Sequence, residues 1–179
     1  MPIAVAVLQE IYDWRGMTSS AGYVRQAPRH FEINPYNFTG RRIYQWLGHY
    51  DLLVTNACPQ LVSSARGRGT PDKVWLSANL KELQPFELLL VCGSVAASTY
   101  SIKDAGNARV IELPHPAARM WDRNLLDRVK EIVQAGNDQP SVNLSIKQGE
   151  LVIKELKRAS HPQEATQTTS QAVRDILFG

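Results

Sequence analysis

His115, Asn56, Gln26 and Phe38 are side chains of this 179-residue chain whose types and settings allow chemistry. His115 follows an apolar run (VIELP) and precedes Pro116, so its imidazole stands where a strand ends. There it can donate a hydrogen bond to an oxygen that gains charge, or it can simply be a loop histidine with its partners met. Asn56 closes another apolar run (DLLVTN) and carries one acceptor and two donors, enough to read the edge of a heterocycle or to tie down a turn. Gln26 can orient a water but cannot take its proton. Phe38 offers a stacking face or a core ring at a helix start. Arg66, Arg68 and Lys73 lie in a loop rich in glycine and serine (SSARGRGTPDK), where guanidinium and backbone N–H groups can meet phosphates or only water. Arg119, Met120 and Trp121 follow His115-Pro116 as cationic or apolar fillers for a base stack, and Trp121 equally suits the first core position of the next helix.

The elements that must hold these residues form an alternating series. Residues 51–57, 87–92 and 109–113 read as short buried strands. Between the first two, residues 73–83 are amphipathic at helical spacing through Val74, Leu76, Leu80 and Leu83. Residues 121–135 follow the third, with Leu125, Leu126, Val129, Ile132 and Val133 on one face and Gly136 as the stop. Residues 41–47 form another helix. Strands that alternate with crossover helices predict an α/β domain built on a largely parallel sheet covered on both faces. Ligands of such sheets bind outside the carboxyl ends of the strands, which are the ends that carry Asn56 and His115. Residues 141–147 and 150–156 alternate around Gln148-Gly149 as a hairpin, and residues 171–178 form a short amphipathic helix. These read as an appendage, residues 137–179, to a core of about residues 23–136 within one domain.

Composition sets the class. Hydrophobic residues make up 44% and charged residues 21%, which is ordinary for a globular domain. The longest apolar runs fall far short of the roughly 20 residues needed to span a bilayer. The first residues lack the basic region of a secretory signal, so the expected location is the cytoplasm, with no membrane partner. Cys58 and Cys92 sit in apolar contexts and read as buried thiols; two cysteines do not supply an iron–sulfur cluster of the four-thiolate kind. A formal net charge of +3 permits nucleic-acid binding without requiring it. Neither glycine-rich nucleotide loop, G-x-G-x-x-G or G-x-x-x-x-G-K, occurs.

Taken in order, these strand ends resemble the uracil-DNA glycosylase superfamily. The carriers are LLVTNACPQ (52–60), ELQPFELLLVCGSVAAS (82–98) and VIELPHPAARMW (110–121), preceded by RQAP (25–28) and NFTGRRIYQWL (37–47). The pattern is most similar to family 4, without its four cluster cysteines, and it covers roughly residues 23–135. The resemblance implies a three-layer sandwich around a mostly parallel four-stranded sheet. It implies a monofunctional glycosylase that needs no metal or cofactor, flips a base out of DNA and leaves an abasic site. Asn56 would read the flipped base, Phe38 would stack on it, and His115 would be catalytic. Residues 117–121 would form the wedge. Gln26 stands where the family places its water-activating acid, and Arg25 stands where it places a glycine, so both substrate and exact family stay open. Uracil and a modified pyrimidine are both in range, since anti-phage members of the superfamily excise hypermodified cytosine. The DNA partner is double- or single-stranded, and the oligomeric state is left open. A non-catalytic nucleic-acid-binding module on the same fold is the competing reading, with Gln26 as its mark.

Overall fold

The structure, a computed structural model, describes residues 1–9, 11–12, 27–62 and 69–158. Its centre is one six-stranded sheet. The strands are β1 (Ile3–Leu8), β3 (Asp51–Asn56), β5 (Leu88–Cys92), β6 (Arg109–Leu113), β7 (Val142–Lys147) and β8 (Glu150–Glu155), in the spatial order β3-β1-β5-β6-β7-β8. All adjacent pairs are parallel except the β7–β8 hairpin. A second, two-residue parallel ladder joins β2 (Ile11–Tyr12) to β4 (Leu61–Val62). Among the described residues the four helices are α1 (Phe38–Leu47), α2 (Lys73–Leu83), α3 (Ser94–Thr99) and α4 (Arg123–Gln134), with a 3₁₀ turn at Ile102–Ala105.

Side-chain alternation splits the core into two. Ala4, Ala6, Leu8, Leu88, Leu90 and Ile111 face α1 and α4, where they meet Ile43, Trp46, Leu47, Leu125, Val129 and Val133. Val5, Val7, Leu89, Val91 and Val110 face the other way, onto Leu76 and Leu80 of α2 and Ala96 of α3. Strands buried on both faces need apolar residues at every position, which is why IAVAVL and LLLVC show no polar alternation.

Three expectations change. The sheet has six strands instead of four, because β1 inserts between β3 and β5 and the hairpin continues the sheet beyond β6. The hairpin is therefore part of the sheet: Ile111 and Glu112 pair with Val142 and Asn143. Its turn is as expected, with Gln148 and Gly149 both at positive φ (51° and 77°), the conformation that a tight two-residue hairpin requires. Helix α1 begins at Phe38, three residues earlier than its apolar spacing suggests, because the Asn37 side chain caps it by accepting from the Gly40 N–H at 2.6 Å. Gly40 is also the only residue type that fits, since a Cβ there would lie 2.2 Å from the Asn34 carbonyl oxygen. The expected helix at 171–178 lies outside the described residues. Among those described, no helix is long and apolar enough to cross a membrane.

Candidate active site at the carboxyl ends of the strands

From β1 the chain moves to β3 on one side and then returns to β5 on the other. The crevice of an open parallel sheet lies where the connections diverge in this way, outside the carboxyl ends. Register sets what borders it. Asn56 pairs with Leu8, Val7 with Val91, and Cys92 with Leu113. The row from Asn56 across to Leu113 thus crosses three strand spacings, about 14 Å in all. His115 lies two residues beyond the far end of that row. Val54, Leu8, Cys92 and Leu113 all belong to the core beneath α1 and α4. Alternation puts Asn56 on that same side, where the amino ends of α1 and α4 also gather.

Asn56 is held firmly but left unpaired. Next to it, the Thr55 hydroxyl donates to the Arg29 carbonyl (2.7 Å) and accepts from Asn79 Nδ2–H (3.1 Å), which ties β3 to α2 on the opposite face. Past it, the Ala57 and Cys58 N–H groups donate to the Leu8 and Gln9 carbonyls at 2.8 and 2.9 Å. The Asn56 side chain itself is 1% exposed, yet neither its Nδ2 nor its Oδ1 has a hydrogen-bond partner among the described residues. A buried polar group without a partner costs about 1–3 kcal/mol, and native proteins carry few of them. An amide held in that state keeps its one acceptor and two donors unspent among the described residues.

His115 is fixed from four sides. The Ala117 N–H donates to its Nδ1 at 3.0 Å, so in the neutral ring the proton sits on Nε2. Burial pushes the imidazole below its ordinary pKa and keeps it neutral, an Nε2–H donor rather than a cation. Its carbonyl accepts from both the Ala118 N–H and the Trp121 indole N–H, each at 2.9 Å. Gly93, at φ 92°, backs the ring closely: a Cβ there would lie 3.4 Å from His115 Cβ and 3.8 Å from Cδ2. The fourth hold is Arg42 of α1, whose Nη1 donates to the Pro116 carbonyl and, at 3.4 Å, to that of Ala118. The same guanidinium lies 4.0 Å from the centroid of the Phe38 ring. Arg42 therefore joins the stacking candidate to the histidine loop. The hydrogen bonds of this guanidinium go to backbone carbonyls.

Phe38 remains 55% exposed with one face covered by Arg42, so its other face is open for stacking. Met120 is 52% exposed and Arg119 is also exposed, on the surface beside the histidine loop. Trp121 is different: it is buried, packs against Trp46 at 5.4 Å between ring centroids, and spends its N–H on His115. It supports the loop from the core and does not present a wedge. Tyr36, the most exposed aromatic near α1 at 83%, was not singled out by sequence; the Arg41 side chain holds its carbonyl at 3.3 Å. Gln26, Arg66 and Arg68 lie outside the described residues. Ala27, which follows Gln26, donates its N–H to the Pro59 carbonyl at 2.6 Å, beside the chain leaving Asn56.

Among the described residues, two open depressions lie elsewhere. One of about 500 Å³ sits at the amino end of β6, but its Arg109 and Arg158 already donate to the carbonyls of Ile132, Gly136, Pro140 and Gly106. The other, about 720 Å³, is lined by Lys73, Lys81 and Lys103 beside α2, and Lys81 faces Asp104 at 4.0 Å. Neither holds a buried unpaired group comparable to Asn56. Among the described residues, no cluster of three or more His, Cys, Asp or Glu could hold a metal ion. Cys58 and Cys92 are both buried, no disulfide joins them, and burial pushes the Cys92 thiol up to about 12. No protein-family model, curated protein or solved structure matches this chain.

Proposed function

We propose that this protein is a monofunctional DNA glycosylase of the uracil-DNA glycosylase type, which extrudes a uracil or a modified pyrimidine and hydrolyses its N-glycosidic bond. The observation that carries the reading is the Asn56 amide, buried and unpaired at the carboxyl end of a parallel strand. Its one acceptor and two donors suit the Watson–Crick edge of a flipped base. The amide is sealed from solvent, so a base reaches it only after the neighbouring chain yields. On this reading the parallel strands β3, β1, β5 and β6, with helices on both faces, are the glycosylase-like core.

The chemistry follows from the residues. As the bond from C1′ to the base nitrogen breaks, its electron pair leaves with the base and charge grows on a base oxygen. Neutral His115, with its proton on Nε2, donates to that oxygen; a donor so placed is worth ~3 kcal/mol, or a factor of about 10²–10³. Phe38 stacks on the base through the face that Arg42 leaves open. Water oriented by Gln26 then adds to C1′, and because an amide cannot take a proton as a carboxylate would, the water's proton passes to the departing base anion. Arg66 and Arg68 hold phosphates, while Arg119 and Met120 fill the vacated stack. The substrates in range include glucosylated hydroxymethylcytosine as well as uracil.

The test is excision on duplex and single-stranded oligonucleotides carrying uracil, a G·T mismatch, 5-hydroxymethylcytosine or its glucosylated form, with alkali to reveal abasic sites. Cleavage of one of these, lost in His115→Ala, establishes the activity and its substrate. DNA binding with no abasic product from any of them would leave a binding module in place of an enzyme.

A further inference from the structure

The two edges of the central sheet are treated differently. At the β3 edge the chain covers itself: Phe31 and Val54 exchange N–H···O bonds of 2.9 and 3.0 Å in an antiparallel bridge. At the β8 edge no described strand follows. Strand β8 is six residues of unbroken extended chain without proline, and it exposes Val152 (39%) and Ile153 (47%). Such an edge ordinarily invites another strand.

The phase of β8 is set by its hairpin. Lys147 and Glu150 flank the two-residue turn and form its closing hydrogen-bonded pair, so even-numbered residues turn their backbone groups toward β7. The Leu156 N–H, bonded to the Ser141 carbonyl at 2.8 Å, follows the same phase. The N–H and C=O groups of Leu151, Ile153 and Glu155 therefore point outward.

The geometry points to a second copy of this chain as the occupant, paired antiparallel through β8 about a two-fold axis at Val152. That register sets Leu151 opposite Ile153 of the second copy, and both have outward backbone groups that can bond. Val152 meets its own copy, and Glu150 stands opposite Lys154 of the second copy, twice by symmetry. Lys147 is already opposite Glu150 within the hairpin, and Asn143 is opposite Lys154. One face of the joined sheet thus reads Lys147, Glu150, Lys154, Asn143 across the axis. On the other face the Leu–Ile pairs extend the apolar cluster that Leu151 already touches. The other two-fold registers lack this match. An axis at Ile153 sets Val152 against Lys154 and Leu151 against Glu155, and an axis at Lys154 sets that lysine against itself. Cross-strand pairs of opposite charge stabilise a ladder, and like charges directly opposite oppose it. The charges that would deter an arbitrary partner thus select this one, and the interface is isologous and closed. Its small size puts it in the weak, concentration-dependent class. This inference does not depend on the glycosylase reading.

Sedimentation velocity of the full chain over a concentration series tests it. The wild-type chain is expected to shift from monomer to dimer as concentration rises. Glu150→Lys and Lys154→Glu each put like charges opposite one another twice, and each should weaken the dimer about tenfold or more. Both positions are exposed, so circular dichroism should be unchanged; Glu150→Lys also sets a lysine opposite Lys147 within the hairpin and should lower the melting temperature slightly, whereas Lys154→Glu, opposite Asn143, should not. An equimolar mixture of the two variants restores both ion pairs and should dimerise as well as the wild type. A chain that stays monomeric at every concentration would overturn the proposal, as would a dimer indifferent to either charge reversal or a mixture that fails to recover.

Discussion

Replacing Asn56 by leucine should cost the protein little or no stability and all of its activity. Asparagine and leucine side chains have the same number of heavy atoms, so the change opens no cavity, but two methyl groups are bulkier than an amide and crowd the site. It removes an amide that is 1% exposed and unpaired at both ends, a state that costs about 1–3 kcal/mol. Crowding takes back most of that gain, since overpacking a core costs about 1–3 kcal/mol. The expected net lies within about 1 kcal/mol of zero, or a shift in Tm of roughly 2–4 °C at most for a chain of this size. Urea denaturation followed by circular dichroism is the assay; the midpoint should hold within that range with the slope unchanged. Asn79 provides the internal control. It is equally buried at 1% exposure, and its Oδ1 too lacks a partner among the described residues, but its Nδ2–H donates to Thr55 Oγ1 at 3.1 Å. Asn79→Leu makes the same change of volume, relieves one unpaired atom instead of two and breaks a bond worth about 1 kcal/mol, so it should be less stable than Asn56→Leu by about 1–2 kcal/mol. That order would mark Asn56 as kept for ligand recognition rather than for folding. An Asn56→Leu variant less stable than Asn79→Leu would refute the reasoning, because the amide would then be serving the fold.

Other perturbations probe the histidine loop. His115→Ala should lower excision by about 10²–10³ while leaving DNA affinity, measured by fluorescence anisotropy, within a factor of about two. Gly93→Ala forces an L-residue into φ 92° and presses a methyl group against His115, so single-turnover excision should fall with a melting temperature lowered only modestly. Arg42→Met keeps much of the length of the side chain but loses its bonds to the Pro116 and Ala118 carbonyls; excision should fall and the histidine resonances should broaden in NMR spectra. Because burial lowers the pKa of His115 in the native state, the unfolded chain binds the proton more readily. Stability from this site is therefore complete above the ordinary value of 6.5 and declines as pH falls below it. His115→Gln should flatten that part of the curve, and an unchanged curve would argue against a neutral, buried imidazole.

Much of this arrangement can be read in one dimension. The buried parallel strands announce themselves as short apolar runs, and a strand end is where an Asn or His becomes available for chemistry. The Gln148-Gly149 turn is equally legible, since its demand for positive φ is local. What could not be read is what depends on remote partners. The IAVAVL run at Ile3–Leu8 has the composition of a central strand, but only its pairing with both β3 and β5 makes it one. The hairpin looks like an appendage until Ile111 and Glu112 take it into the sheet. Trp121 and Arg42 have side chains suited to DNA, yet their bonds go to the backbone of the His115 loop, 74 residues away from Arg42 in the case of Pro116. The unpaired state of Asn56 is likewise a property of what surrounds it, and no spacing rule reports it.

The most direct measurement of the central claim is the fate of the glycosidic bond. An oligonucleotide carrying the base that the excision panel selects would be incubated with the protein in water enriched in heavy oxygen, and the products weighed by mass spectrometry. The account predicts the free base, together with a DNA strand whose deoxyribose has gained one heavy oxygen at C1′. DNA that is bound by the protein and recovered intact, with no free base, would contradict it.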